Sequence, residues 1–206
     1  DLTGATQDIL RGELGARLPV RGAGELGRLT MAFNEMSEGL ALKERYRSVL
    51  DRVSDGKVAE RLVAGDLELG GEERVATILF CDIRGFTALT EDMPPAEIIR
   101  FLNEHMTALT EVAHSHHGVV DKFVGDEIMV LFGVPESTGR DAQDAADCAA
   151  EMIARRDRLN LETGRDIRIG IGIATGPVLA GCMGSESRLN YTVLGERVNR
   201  GARLCS

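Results

Sequence analysis

From Leu29 onward the apolar positions Leu29, Phe33, Met36 and Leu40 recur at 4-3-4 spacing, the seam of a helix whose apolar stripe meets a partner, and charged residues fill the positions between. A second stripe, Leu42, Tyr46, Val49 and Val53, keeps the spacing but starts two residues after Leu40, where an unbroken heptad places its next position at 43. The stripe therefore changes phase, which rotates the face it presents. Spacing alone fits a coiled-coil seam and equally a helix folded back on its own domain. Upstream, Gly12-Glu13-Leu14 and Leu18-Pro19-Val20 predict an extended connector between two helices, because Pro19 cannot sit inside one.

The stretch from Ala64 carries Gly65, Gly70 and Gly71 among Asp66, Glu68, Glu72 and Glu73, the composition of a linker over 64–74. Beyond it the pattern changes. Val75 to Cys81 is a continuous apolar run of strand length, and Pro94-Pro95 opens an amphipathic helix reaching about His114. Val119 to Val124 and Glu127 to Phe132 flank Gly125-Asp126 as a β-hairpin. Asp141 to Leu159 reads as a helix, Ile167 to Ala174 and Asn190 to Leu194 as strands, and Arg197 to Leu204 as a closing helix. This order predicts an α+β fold, with helices on one face of a largely antiparallel sheet.

Charge narrows the function. Against 24 Lys and Arg stand 33 Asp and Glu, a net charge of −9 that speaks against a nucleic-acid partner held by phosphate neutralisation. The cysteines Cys81, Cys148, Cys182 and Cys205 are far apart and form no CxxC pair, so neither a zinc cage nor a disulfide framework is expected, and a reducing compartment fits. No apolar run approaches the roughly 18 residues of a membrane span, so a soluble stretch is expected.

Asp82 ends the apolar strand and Asp126 sits at the hairpin tip, so both carboxylates are presented at strand ends. Such a pair suits a hard cation that takes one or two carboxylates plus substrate phosphates. After Asp82 comes Ile83-Arg84-Gly85-Phe86-Thr87, where the glycine allows backbone amides to approach phosphate. The histidines His114, His116 and His117 suit a helix C-terminus, and Gly170-x-Gly172-x-x-x-Gly176 followed by Pro177 makes a poor dinucleotide loop.

FCDIRGFTALTE, KFVGDEIMVLFGVP and SRLNYTVLGERVNRGAR, in this order, resemble the three signature blocks of class III adenylyl and guanylyl cyclases, over residues 75–206. The resemblance implies a ferredoxin-like catalytic domain that turns ATP into cyclic AMP, with two Mg²⁺ or Mn²⁺ ions per site held by Asp82, Asp126 and the backbone carbonyl of Ile83. It further implies Lys122 and Thr192 at the purine edge, Arg188 and the Phe86-Thr87 segment at the phosphates, Asn199 at the ribose, and Arg203 at the reacting phosphorus. Guanylyl cyclases typically place an acid where Lys122 stands, so ATP rather than GTP is the expected substrate. The same resemblance implies a homodimer with shared sites, Asp82, Asp126 and Arg188 coming from one subunit and Lys122, Thr192, Asn199 and Arg203 from the other. It also places the family's last strands and a triphosphate-contacting lysine beyond Ser206. Glu196 stands where the family usually has Asp, and Arg200-Gly201 replaces smaller or apolar residues, Gly201 costing about 1 kcal/mol of helix stability relative to Ala.

Residues 1–40, through Gly12, Leu14, Leu18, Val20, Glu25-Leu26-Gly27-x-Leu29 and Phe33-Asn34-x-Met36, resemble a HAMP signalling module whose first helix is represented by Leu2 to Arg11. Residues 41–63 would then be a coiled-coil signalling helix. This resemblance implies the cytoplasmic part of a membrane-anchored receptor with an upstream sensor. Two rival readings have less support. A GGDEF-type diguanylate cyclase would share VGDE at 124–127 but lacks the full string, and a catalytically silent nucleotide-sensing module would not need the acids and the Asn/Arg pair.

Overall fold

A computed structural model of the chain describes residues 2–11, 13–14, 17–20, 24–53, 55–56, 58–59, 70–185 and 188–206. It divides into two compact units, Asp1–Gly56 and Lys57–Ser206.

The first unit holds helices α1 (Leu2–Leu10) and α2 (Glu25–Val53), the latter 29 residues without a break. The Asn34 amide fixes the connector to α2: the Leu18 amide N–H donates to Asn34 Oδ1 and Asn34 Nδ2 donates to the Leu18 carbonyl, both at 2.9 Å. One side chain thus satisfies both backbone groups of Leu18, as a neighbouring strand would. Of the two stripes read from the sequence only Phe33 is buried. Thr30 and Ser37 are buried beside it, whereas Leu29, Met36, Leu40, Leu42, Tyr46 and Val49 remain exposed in the single chain. The Val53 side chain lies outside the described residues.

In the second unit a central strand, β1 (Gly70–Ile83), is followed by a short helix α3 (Phe86–Thr90) and by α4 (Pro95–Ser115). The hairpin β2 (Val119–Val124) and β3 (Glu127–Phe132) comes next, then α5 (Asp141–Thr163), β4 (Ile169–Ser185), β5 (Arg188–Leu194) and α6 (Glu196–Cys205). The sheet order is β2-β3-β1-β4-β5, and every neighbouring pair is antiparallel. β1 begins at Gly70, five residues before the apolar run, so 70–74 belong to the sheet rather than to a linker. Residues 64–69, the rest of that expected linker, lie outside the described residues.

Helices cover both faces of the sheet, not one. Leu79 and Cys81 of β1 meet Met106, Leu109, Val112 and Ala113 of α4 and Cys148 and Met152 of α5. Ala76, Ile78 and Phe80 point to the opposite face, where Val198, Ala202 and Cys205 of α6 lie. This explains why β1 reads as an unbroken apolar run: a strand buried on both faces has no reason to alternate. Each fully buried aliphatic side chain here contributes about 1.5–3 kcal/mol.

Two glycines let α6 settle onto the sheet. A Cβ on Gly172 of β4 would lie 2.2 Å from the Gly201 carbonyl oxygen, and one on Gly201 would lie 3.0 Å from the Phe80 ring. Gly201, costly to the helix by propensity, thus sits where a side chain would crowd the Phe80 ring. β4 also runs past the expected end at Ala174, through Gly176-Pro177 to Ser185. β5 pairs with β4 only from Leu179, which leaves one edge of β4 open at Pro177, the position in a sheet that tolerates proline. All four cysteines are buried and unpaired, and burial pushes the Cys81, Cys148 and Cys205 thiols up, away from the reactive thiolate.

Candidate active site

Hairpin geometry brings the two acids together. Gly125, with φ 64, makes the left-handed turn between β2 and β3, and the Asp126 that follows is carried back over the end of β1. There the Ile83 amide N–H donates to Asp126 Oδ2 at 3.1 Å. Asp82 precedes Ile83 and pairs in register with Gly170 of β4. Its Oδ1 is buried and makes no hydrogen bond, although Arg84 Nη1 lies 3.3 Å away as an ion pair. Burial first, and then the negative fields of Asp82 and Asp126, raise the neighbouring Glu127 carboxyl above its ordinary range. Two carboxylates, one with an unbonded buried oxygen, make a donor set that fits a hard divalent cation sharing its ligands with phosphate. Among the described residues no three His, Cys, Asp or Glu side chains form a metal cage.

Arg84 carries no assigned role in the sequence motif, yet its guanidinium also donates to the Cys205 carbonyl at the end of α6. It lies across Gly170, where a Cβ would collide with it. Arg84 thus ties Asp82 to the helix that carries Asn199 and Arg203.

The second grouping joins the two edges of the sheet. Lys122 Nζ of β2 donates to Thr192 Oγ1 of β5 at 3.3 Å. Asp121, which spacing did not single out, completes the group. Its Oδ2 accepts from Thr192 Oγ1 at 3.0 Å and lies 3.1 Å from Lys122 Nζ. Asp121 and Lys122 are consecutive, and in a regular strand their side chains would point to opposite faces. The β2–β3 register shifts between Val120 and Lys122, however, leaving Asp121 as the extra residue of a bulge. Such a bulge re-aims side chains, and here both reach Thr192. The Asp121 side chain is 1% exposed. Burial raises its pKa, while Lys122 and the Thr192 hydroxyl oppose the rise.

The remaining expected residues are spread around these groupings. Asn199 and Arg203 lie one turn apart on the exposed side of α6, opposite Val198, Ala202 and Cys205. Arg188 opens β5 across from Ser185, and its side chain lies outside the described residues. The Phe86 ring packs against Ile83, Phe101 and Ile167, so that side chain anchors the turn, while Thr87 is exposed. The first amides of α3, after the left-handed Gly85 (φ 69), have no intrahelical acceptor.

Residues 71–206 match the family model of the adenylate and guanylate cyclase catalytic domain, and residues 1–41 match that of the HAMP domain. Two proteins of Mycobacterium tuberculosis, Rv1318c and Rv1319c, both described as uncharacterized, are 40% and 38% identical over 201 residues. Each alignment covers 98% of this chain but only 36% and 37% of the relative, so the chain spans little more than a third of their length. Among solved structures, the guanylyl cyclase Cya2 is 40% identical with a TM-score of 0.63, over 66% of this chain and 72% of its own. The adenylyl cyclase CyaB from P. aeruginosa is 33% identical with a TM-score of 0.64, over 66% and 73%. A bacterial light-regulated adenylyl cyclase, 26% identical, reaches a TM-score of 0.72 over 84% of this chain and 52% of its own. By its three sequence blocks, its antiparallel sheet and these matches, the chain belongs to the class III adenylate and guanylate cyclase family, with a HAMP domain ahead of the catalytic domain.

Proposed function

We propose that the chain is an adenylate cyclase, converting ATP to 3′,5′-cyclic AMP and pyrophosphate in signal transduction. The observation that carries this reading is the contact of Lys122 Nζ with Thr192 Oγ1 at 3.3 Å. An ammonium donor beside a hydroxyl acceptor complements adenine, whose N1 accepts and whose 6-amino group donates. Guanine reverses both groups. Overall likeness does not separate the substrates, because relatives of both kinds are similar to this chain. Lys122→Glu combined with Thr192→Cys is expected to lower the ratio of ATP to GTP kcat/KM by at least about tenfold. Product analysis by chromatography with each nucleotide checks this, and an unchanged ratio removes both residues from base recognition. A GTP preference in the unmodified protein would establish the guanylate cyclase reading instead.

Asp82, Asp126 and the Ile83 carbonyl would hold two divalent cations, Mg²⁺ or Mn²⁺. When bound, such ions neutralise the triphosphate and lower the pKa of the ribose 3′-hydroxyl. The chain's own residues do the positioning. The Ile83 amide fixes the Asp126 carboxylate, and Arg84 steadies Asp82. Asn199 orients the ribose, Arg203 meets the charge that develops at the α-phosphorus, and Arg188 and the amides of Phe86 and Thr87 hold the phosphates. The 3′-oxygen attacks the α-phosphorus in line, its proton leaves to solvent, and the bond to pyrophosphate breaks.

Activity requires a homodimer in this reading, with Asp82, Asp126 and Arg188 of one subunit facing Lys122, Thr192, Asn199 and Arg203 of the other. The exposed stripe of α2 and the exposure of Asn199 and Arg203 support it. Chains carrying Asp82→Ala and Asn199→Ala should each be inactive, whereas co-expression should recover about a quarter of wild-type activity. With random pairing about half the dimers are mixed, and each of these has one whole site of two. No recovery from proven mixed dimers would assign the whole site to one chain. The HAMP match supports a place on the cytoplasmic side of a membrane receptor, below a sensor of the same parent protein. Among the described residues no helix is long and apolar enough to cross a membrane.

A further inference from the structure

A threonine hydroxyl is ambiguous at a purine edge, because it can rotate to donate or to accept. Taken alone, Thr192 would serve guanine O6 as readily as the amine of adenine. The residue that removes the ambiguity is the bulged Asp121. Its Oδ2 lies 3.0 Å from Thr192 Oγ1 and an ionised carboxylate can only accept, so the hydroxyl proton of Thr192 is committed to it. Lys122 Nζ, a donor only, approaches the same hydroxyl oxygen at 3.3 Å and the same carboxylate at 3.1 Å. Thr192 Oγ1 therefore has a lone pair and no proton to offer a ligand. The Asp121 side chain is 1% exposed and its Oδ1 has no hydrogen-bond partner, an arrangement too costly to keep for a surface ion pair alone.

We propose that Asp121 is a positioning residue that sets base choice, locking Thr192 as an acceptor and aiming Lys122, so that an exocyclic amine is admitted and a carbonyl oxygen refused. This inference rests on the reading of Lys122 and Thr192 as the purine contacts. Asp121 Oδ2 meets both Thr192 and Lys122, and in Asp121→Asn an amide oxygen in its place is an uncharged, weaker acceptor that holds neither as firmly, so the Thr192 hydroxyl is released to turn its proton outward. The ratio of ATP to GTP kcat/KM should fall about tenfold, through loss on ATP and gain on GTP.

The test uses the full-length protein in four forms: unmodified, Asp121→Asn, Thr192→Val, and the double variant. Initial rates are measured with ATP and with GTP. Thr192→Val alone should change the ratio, and adding Asp121→Asn to it should change the ratio by much less than Asp121→Asn does in the unmodified protein, because the hydroxyl route is gone and only the aim of Lys122 remains. If Thr192→Val leaves the ratio untouched, the purine-edge reading itself fails. If Thr192→Val moves the ratio and Asp121→Asn lowers both substrates equally, only the role of Asp121 fails. Asp121→Ala serves as a second variant and should also lower the ratio. Failure of both Asp121 variants to fold would make it a structural ion and overturn the proposal.

Discussion

Asp82→Asn and Asp126→Asn should each lower cyclase turnover by about a thousandfold or more, while the protein melts within a few degrees of the unmodified chain. The loss would follow from charge: an amide keeps the shape of the carboxylate but not the negative charge that would hold a divalent cation. Stabilisation worth several kcal/mol at about 1.4 kcal/mol per factor of ten gives the magnitude. The fold is spared for a specific reason. In Asp126→Asn the amide oxygen can still accept the Ile83 N–H that meets Asp126 Oδ2 at 3.1 Å. In Asp82→Asn the main loss is a partly exposed ion pair with Arg84, worth little. Circular dichroism melting and a calorimetric Mn²⁺ titration complete the measurement. The expected result is an intact fold that no longer binds the ion. Near-normal turnover in either variant would end the assignment.

Gly172→Ala should strongly destabilise the catalytic unit. Its Cβ would fall 2.2 Å from the Gly201 oxygen, 2.4 Å from the Cys205 nitrogen and 2.8 Å from the Leu204 carbonyl carbon, all backbone atoms of α6. No rotamer change relieves such a contact. The helix must lift from β4, and with it go the seats of Val198, Ala202 and Cys205. A cost above about 3 kcal/mol is expected, lowering Tm by roughly 10 °C. Gly125→Ala is the control, because its Cβ would meet nothing within 4 Å and only the left-handed turn is strained. That change should cost about 1–2 kcal/mol. Equal melting of the two variants would contradict the contact between α6 and β4.

Element identity was legible wherever pattern and punctuation agreed. Pro94-Pro95 marks the start of α4, Gly125-Asp126 marks the hairpin, and Asp141 opens α5, because each fixes backbone geometry locally. The end of β4 was not legible, since Gly176-Pro177 carries the signature of a turn and is tolerated in a strand because the pairing of β4 with β5 begins only at Leu179. Nor could the second helical layer be placed, because the run of β1 reports burial on both sides without naming what covers each. The acids and the pair Lys122 and Thr192 were visible as sequence blocks. Asp121 and Arg84 were not, because their importance comes from partners 71 and 121 positions away in the chain. A bulge, which shifts the alternation by one residue, leaves no trace in composition.

The central place of β1 also sets a timetable for the nascent chain. Its Thr77 hydroxyl lies 2.9 Å from that of Thr175, a contact that spans 98 residues. At about 5–20 residues per second, the ribosome needs roughly 5–20 s to deliver the strand that closes that edge. Through that interval α4, β3 and α5 become available to Leu79, but Ile78 and Phe80 still lack β4 and the α6 residues that later cover them. Synthesis therefore leaves one edge and one apolar face of β1 uncovered until β4 and α6 arrive, and non-local pairing of this kind closes late.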